Sequence, residues 1–246
     1  MDPGKEAALT ERGPWEVARA RTVAMLLGEN LRDGMSVLDV DCGDGYLSRS
    51  LCAALPGIRV TAVVADLTER TVTRLVPARG VIYVPDLPAA GRRFELTLLV
   101  DVLERVEEDR RFLKRLVWQH VAAGGHVLIT VPAFPSLFSG RDWFLGRYRR
   151  YRLKELREVA AASGLAVLSS GYLFGSLLIP KFLMDRCTKW QGAQDQGPFR
   201  LGGLVSRGVA GILHLENAMM IVLARAGLVL PGVSAWVLCR SRVPSN

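Results

Sequence analysis

The sequence predicts an α/β fold, a mostly parallel sheet with helices on both faces. Three observations predict it. Short apolar runs alternate with helical stretches from residue 36 to residue 169. One run, Val37-Leu38-Asp39-Val40, passes directly into the glycine turn Asp41-Cys42-Gly43-Asp44-Gly45 and then a helix. That junction brings backbone close to a nucleotide-like ligand, although the turn alone would also suit a ligand-free crossover. Finally, 246 residues that are 50% hydrophobic and 23% charged suit one large globular domain.

The elements follow in order. Val17, Val23, Leu26 and Leu27 place a helix over 15–29, with a stop near Gly34. Strands are expected at 36–40, 59–64, 81–84, 96–100 and 126–131, the last after the turn Gly124-Gly125. Helices are expected between them at 47–54, 68–75 and 109–120. A helix over 153–163 closes at Gly164 and leads to strands at 165–169 and 234–240. Between these two strands lie about sixty residues that a minimal sheet does not need. They carry two apolar helical stretches, 172–184 and 204–228, joined by a polar linker at 191–198. The division is therefore an α/β domain, 1–171 and 229–246, with a helical insert over 172–228. The insert leaves from the ligand-binding side of the sheet and reads as a lid, a dimer surface or a membrane-surface element.

Composition excludes several classes. The formal charge is +8, but the arginines are scattered pairs (Arg92-Arg93, Arg110-Arg111, Arg149-Arg150) without a basic run, which argues against nucleic acid. Four cysteines form no C-x-x-C pair and no zinc spacing with the three histidines, so no metal site and a reducing, cytoplasmic setting are expected. The first fifteen residues are polar and charged, unlike a signal peptide. No uncharged apolar run reaches 18 residues; the nearest, 219–238, is broken by Arg225 and Pro231-Gly232, and a membrane span is not expected.

Five segments in order over 36–156 resemble the class I S-adenosylmethionine (SAM)-dependent methyltransferases, and the middle of the chain a bacterial small-molecule subgroup. Asp39-x-Asp41-x-Gly43-x-Gly45 resembles the acid-x-G-x-G-x-G signature; Asp86-Leu87-Pro88 and Phe94-Glu95-Leu96 with Asp101-Val102-Leu103-Glu104-Arg105-Val106 resemble the stretches lining the cofactor pocket. Ala123-Gly124-Gly125 is similar to the P-G-G before the fifth strand, and residues 131–156 to a V-P-A…L-G-H-Y-R-R-Y-S-x-x-E-L stretch. The resemblance implies a Rossmann-like sheet whose last strand is antiparallel, with SAM as cofactor and S-adenosylhomocysteine as product. It implies cofactor contacts at Asp39, Asp41, Cys42, Gly43, Gly45, Asp86, Leu87, Asp101, Val102 and Leu103. Asp66, after the second strand, is the candidate for the ribose hydroxyls, because a carboxylate accepts two hydrogen bonds from a diol.

The chain departs from the pattern at four places. Asp41 stands at the first glycine, Val64 at the ribose acid in an ungapped alignment, and Arg105 and Arg147 at histidines. Asp41 either hydrogen-bonds the cofactor's ammonium or crowds the cofactor. Methyl transfer needs mainly alignment of the acceptor, plus proton removal for a hydroxyl. Asp142, Arg147, Tyr148, Arg149, Arg150 and Tyr151, on the loop after the fifth strand, are the candidate substrate contacts. His214 in the insert is the substitute base, while His120 and His126 read as structural.

The surplus of apolar residues in the insert suggests a greasy acceptor, an isoprenoid, polyketide or quinone-like natural product of secondary metabolism. Lys181, Arg186 and Lys189 suit peripheral contact with anionic lipid through 172–189, and the insert also suits a homodimer. Three functions stay open: a small-molecule methyltransferase, a methyltransferase-fold cyclase or pericyclase that does not methylate, and a non-catalytic scaffold.

Overall fold

The computed structural model describes residues 13–65, 73, 75–187 and 203–244, with 184–187 and 203–204 described by backbone alone. Among them seven strands form one sheet: β1 Ser36–Val40, β2 Arg59–Val63, β3 Val81–Val84, β4 Phe94–Val100, β5 Val121–Pro132, β6 Leu165–Leu173 and β7 Ser234–Ser241. Their spatial order is β3-β2-β1-β4-β5-β7-β6. Neighbours from β3 to β5 are parallel, and β7 runs antiparallel to both β5 and β6. The sheet is thus mostly parallel with an antiparallel last strand, as expected.

Parallel central strands are covered on both faces, which is why β1 and β4 read as near-continuous apolar runs. One face packs α3 (Asp109–His120) and α5 (Leu153–Ala162), joining Leu113, Leu116, Leu156 and Val159 to Leu99, Ile129 and Val237. The other packs α1 (Pro14–Leu27), α2 (Tyr46–Ala54) and α7 (Gly203–Arg225), joining Leu26, Leu51, Leu213 and Ile221 to Val37, Leu98 and Trp236. A five-residue helix, α4 (Gly140–Phe144), follows β5, and α6 (Leu178–Cys187) follows β6. His120 is buried with Nδ1 3.2 Å from the Arg92 carbonyl, a structural placement.

Two expectations need correction. Residues 172 and 173 do not begin a helix. They continue β6, where Tyr172 pairs with Ala235 and Leu173 with Ser234. Phe174, at φ 59°, then breaks the strand, and α6 starts only at Leu178. The ladder to β7, invisible in local periodicity, decides this. Second, among the described residues the helix long and apolar enough to cross a membrane, by length and composition alone, is Val205–Arg225 and not 219–238. Requiring an uncharged run hid it, because Arg207 and Glu216 interrupt it. The expected helix over 68–75 lies almost wholly outside the described residues, as does Asp66.

Candidate active site

At the carboxyl ends of β1 and β4 a cleft of about 500 Å³ opens, the position where open α/β sheets bind ligands. The first wall comes from β1 and its turn. Asp41 has φ 56°, Gly43 57° and Gly45 73°. Aspartate is among the few residues besides glycine that tolerate this left-handed backbone, so the substitution at 41 keeps the bend. A Cβ on Gly43 would meet nothing within 4 Å, whereas one on Gly45 would strike the Tyr83 ring. Gly43 therefore leaves open space on the cleft side, and Gly45 serves packing. The Cys42 amide donates to the Val63 carbonyl at 2.9 Å, and the Asp44 carboxylate accepts from the Tyr46 amide at 3.0 Å, starting α2.

Asp39, at the end of β1, is buried. Desolvation pushes its carboxyl up to about 6, with Asp41's charge adding and the Ser48 hydroxyl, which donates to it at 2.5 Å, opposing. Burial and the neighbouring aspartates push the Cys42 thiol up to about 12, so it is neutral at physiological pH and no nucleophile.

The opposite wall comes from β4 and α1. Asp101, at φ 59°, accepts from Arg19 at 2.6 Å and from the Thr130 hydroxyl at 3.3 Å. Arg105 reaches Asp41 at 3.6 Å, across the turn. Trp15, Glu16 and Ala20 of α1 complete that side, and Leu145 and Arg147 form part of the rim.

The structure brings Asp39, Asp41, Cys42, Gly43, Asp101 and Arg147 together in this cleft. None of the other expected residues that are described lines it. Asp86 and Leu87 follow β3 and do not line it, and Val102 and Leu103 are buried in the core. Tyr148 is half exposed on the same loop as Arg147, its amide bonded to the Glu104 carbonyl.

Asp142, Arg150 and Tyr151 are corrected from substrate contacts to supports, because all three are buried. Asp142 accepts two hydrogen bonds from Arg150, at 3.0 and 2.9 Å, and one from Arg147 at 3.0 Å. These guanidinium bonds and the Ser139 amide outweigh burial and hold its carboxyl below the usual range. The Tyr151 hydroxyl donates to Asp109 at 2.6 Å, and burial together with that bond pushes its pKa far up. Arg149 pairs with Asp109 at 2.9 Å. His214 sits on α7, outside the cleft lining; burial and the charge of Arg21 lower its pKa.

Sequence reasoning missed Trp15 and Arg19, read only as helix, and Glu104. The Arg19–Asp101 pair joins residues 82 apart, so no local spacing announces it. Glu104 lies fully buried 3.4 Å from Arg147 Nε, with desolvation and the charge of Asp101 pushing it up to about 8. Arg147 thus bridges Glu104 and Asp142 and is held at the rim.

Residues 15–170 match a family model described as a methyltransferase domain. An uncharacterised methyltransferase of Mycobacterium tuberculosis (strain ATCC 25618 / H37Rv) is 33% identical over 109 residues, 42% of this chain and 54% of that protein. The chain spans about half the length of the curated relatives it matches. A SAM-dependent methyltransferase from Mesorhizobium loti superposes with a TM-score of 0.54 at 16% identity, covering 90% of this chain and 97% of that one. The [4+2]-cyclase SpnF superposes with a TM-score of 0.58 at 18% identity, covering 91% and 82%. At such identities the likeness is one of fold.

Proposed function

The chain belongs to the methyltransferase-domain family, matched over 15–170, and on that premise we propose that it transfers the methyl group of SAM to a hydrophobic small molecule. The observation that carries this reading is the cleft itself. A turn with three left-handed residues meets a cluster of carboxylates, Asp39, Asp41 and Asp101, in a volume suited to one cofactor and part of an acceptor. When bound, SAM supplies an electrophilic methyl on a sulfonium. The open side of Gly43 lets the backbone approach such a ligand. The aspartates are acceptors for its ammonium, and Trp15 offers an aromatic wall. Arg147 stands at the rim, with Tyr148 next to it on the same loop, where an acceptor would be oriented. Orientation is the main task, since the reaction is a displacement between two bound groups. The acceptor as an isoprenoid, polyketide or quinone-like molecule rests on the apolar residues of the insert between β6 and β7, whose helices are α6 and α7.

Titration calorimetry with SAM and S-adenosylhomocysteine tests the reading. Binding of both is expected, with affinity at least about tenfold weaker in Gly43→Val, where a β-branched side chain meets φ 57° and fills the open space. No heat at millimolar ligand from the wild-type protein would sink it.

A second reading, a cyclase that binds SAM without consuming it, is favoured by the Asp41–Arg105 pair at the first glycine position. Arg105 is 45% exposed, so Arg105→Ala should change stability by less than about 1 kcal/mol. It should tighten SAM binding several-fold by releasing Asp41 to the ligand's ammonium. Weaker binding in that variant would mean that Asp41 crowds the ligand. Methyl turnover on any acceptor would remove both the cyclase and the scaffold readings.

A further inference from the structure

We propose that the outer face of α7, with the start of α6, docks the protein on a membrane surface carrying anionic lipid. Helix α7 is apolar on both sides. Its inner side buries Ala210, Leu213, Met220 and Ile221 toward α1 and β6. Its outer side leaves Val205, Ile212, Leu215, Met219 and Val222 exposed by 57, 70, 72, 52 and 64%. These positions recur every three or four residues after 212 and make one stripe. A helix apolar all round is normally enclosed, yet only 28% of the Val205–Arg225 window is buried. The polar residues within it are turned to other tasks. Asn217 is buried, accepting from the Phe174 amide and donating to Thr22, and Glu216 accepts from Ser176.

That Ser176–Glu216 contact ties the approach to α6 against the middle of α7. Helix α6 also exposes Ile179, Phe182 and Leu183. Trp143 and Phe144 are also exposed, beside Leu145 at the cleft. Four large apolar side chains in one stripe along α7 exceed the singly scattered apolar residues of an ordinary surface.

Charge selects the occupant. Arg207 and Arg225 are exposed at the two ends of the stripe, and Arg21 is exposed on α1 beside His214. In a two-fold pairing of α7 with a second copy, arginine would face arginine in either orientation, without the opposite charges that select helix partners. Anionic headgroups complement the same basic margin, while the acyl boundary receives the stripe. The chain's formal charge of +8 acts in the same direction. Docking does not depend on which reaction the cleft performs.

Flotation of the full chain with vesicles tests this, using phosphatidylcholine alone and phosphatidylcholine with phosphatidylglycerol. The wild-type protein is expected to float with the anionic vesicles. The triple variant Ile212→Glu/Leu215→Glu/Met219→Glu should bind at least about tenfold more weakly, and Arg207→Glu/Arg225→Glu should lose the preference for anionic lipid. The substituted side chains are exposed, so circular dichroism should show intact folds; single Leu215→Glu gives the same readout if the triple variant does not fold. Wild-type protein that stays with neither vesicle overturns the proposal, as does a triple variant that floats normally. A wild-type dimer that the triple variant converts to monomer, without vesicle binding, also overturns it and assigns the face to a second copy.

Discussion

Asp142→Ala will destabilise the fold by about 3–5 kcal/mol, because it strands a buried guanidinium. Arg150 is only 4% exposed, and Asp142 is its carboxylate partner through two parallel hydrogen bonds; its remaining bond is to the Ala133 carbonyl. The same carboxylate accepts from the Ser139 amide and hydroxyl at 2.9 and 3.3 Å, so the N-terminal cap of α4 goes with it. Arg147 loses one of its two anchors and drifts from the cleft rim. Urea unfolding measures the loss through a lower midpoint at unchanged slope. Asp142→Asn keeps the cap and an acceptor, and should cost distinctly less. Equal stability of wild type and Asp142→Ala would contradict the argument.

Asp39→Asn should have the opposite sign at neutral pH. The folded-state carboxyl sits near 6 against an ordinary 3.8, chiefly because it is desolvated. As pH rises from about 4 to 6, the unfolded chain gives up this proton first. The unfolded state then binds fewer protons than the native one, so stability falls with rising pH through that window. Two pH units of separation correspond to about 3 kcal/mol, fully expressed above pH 6. An amide avoids the penalty and still accepts the Ser48 hydroxyl. The variant is therefore expected to be about 1–3 kcal/mol more stable at pH 7.5, with a flatter profile between pH 4 and 6. Its SAM affinity should drop, because the carboxylate is the feature lost from the cleft. Parallel pH profiles for the two proteins would refute the assignment.

Much of the fold was legible. The bounds of β3 and α3 follow from local pattern alone, and the glycine turn marks where the cleft begins. The carboxylates around it, Asp39, Asp41 and Asp101, were legible through the family resemblance of the stretches that carry them. Tyr151 and Arg150 were misread because a charged loop after a strand looks like a rim, and nothing local shows that Asp109 and Asp142 draw both side chains inward. One signal was available: Ser139-x-x-Asp142 has capping-box spacing, which argues for a structural carboxylate. Arg19 carried no such signal, since its partner is 82 residues away.

The sequence by itself determined the order of strands and helices along the chain and the turn after β1, because periodicity and glycine placement are properties of neighbouring residues; the kinship with methyltransferases came from the resemblance of its motifs. Only the tertiary structure decided which acids are desolvated or paired with arginine and where β6 ends. It also decided which side of α7 is covered. Apolar residues recur on both sides of that helix, so its pattern holds no preferred face. Packing against α1 and β6 encloses Leu213 and Ile221 and leaves Ile212 and Leu215 outside.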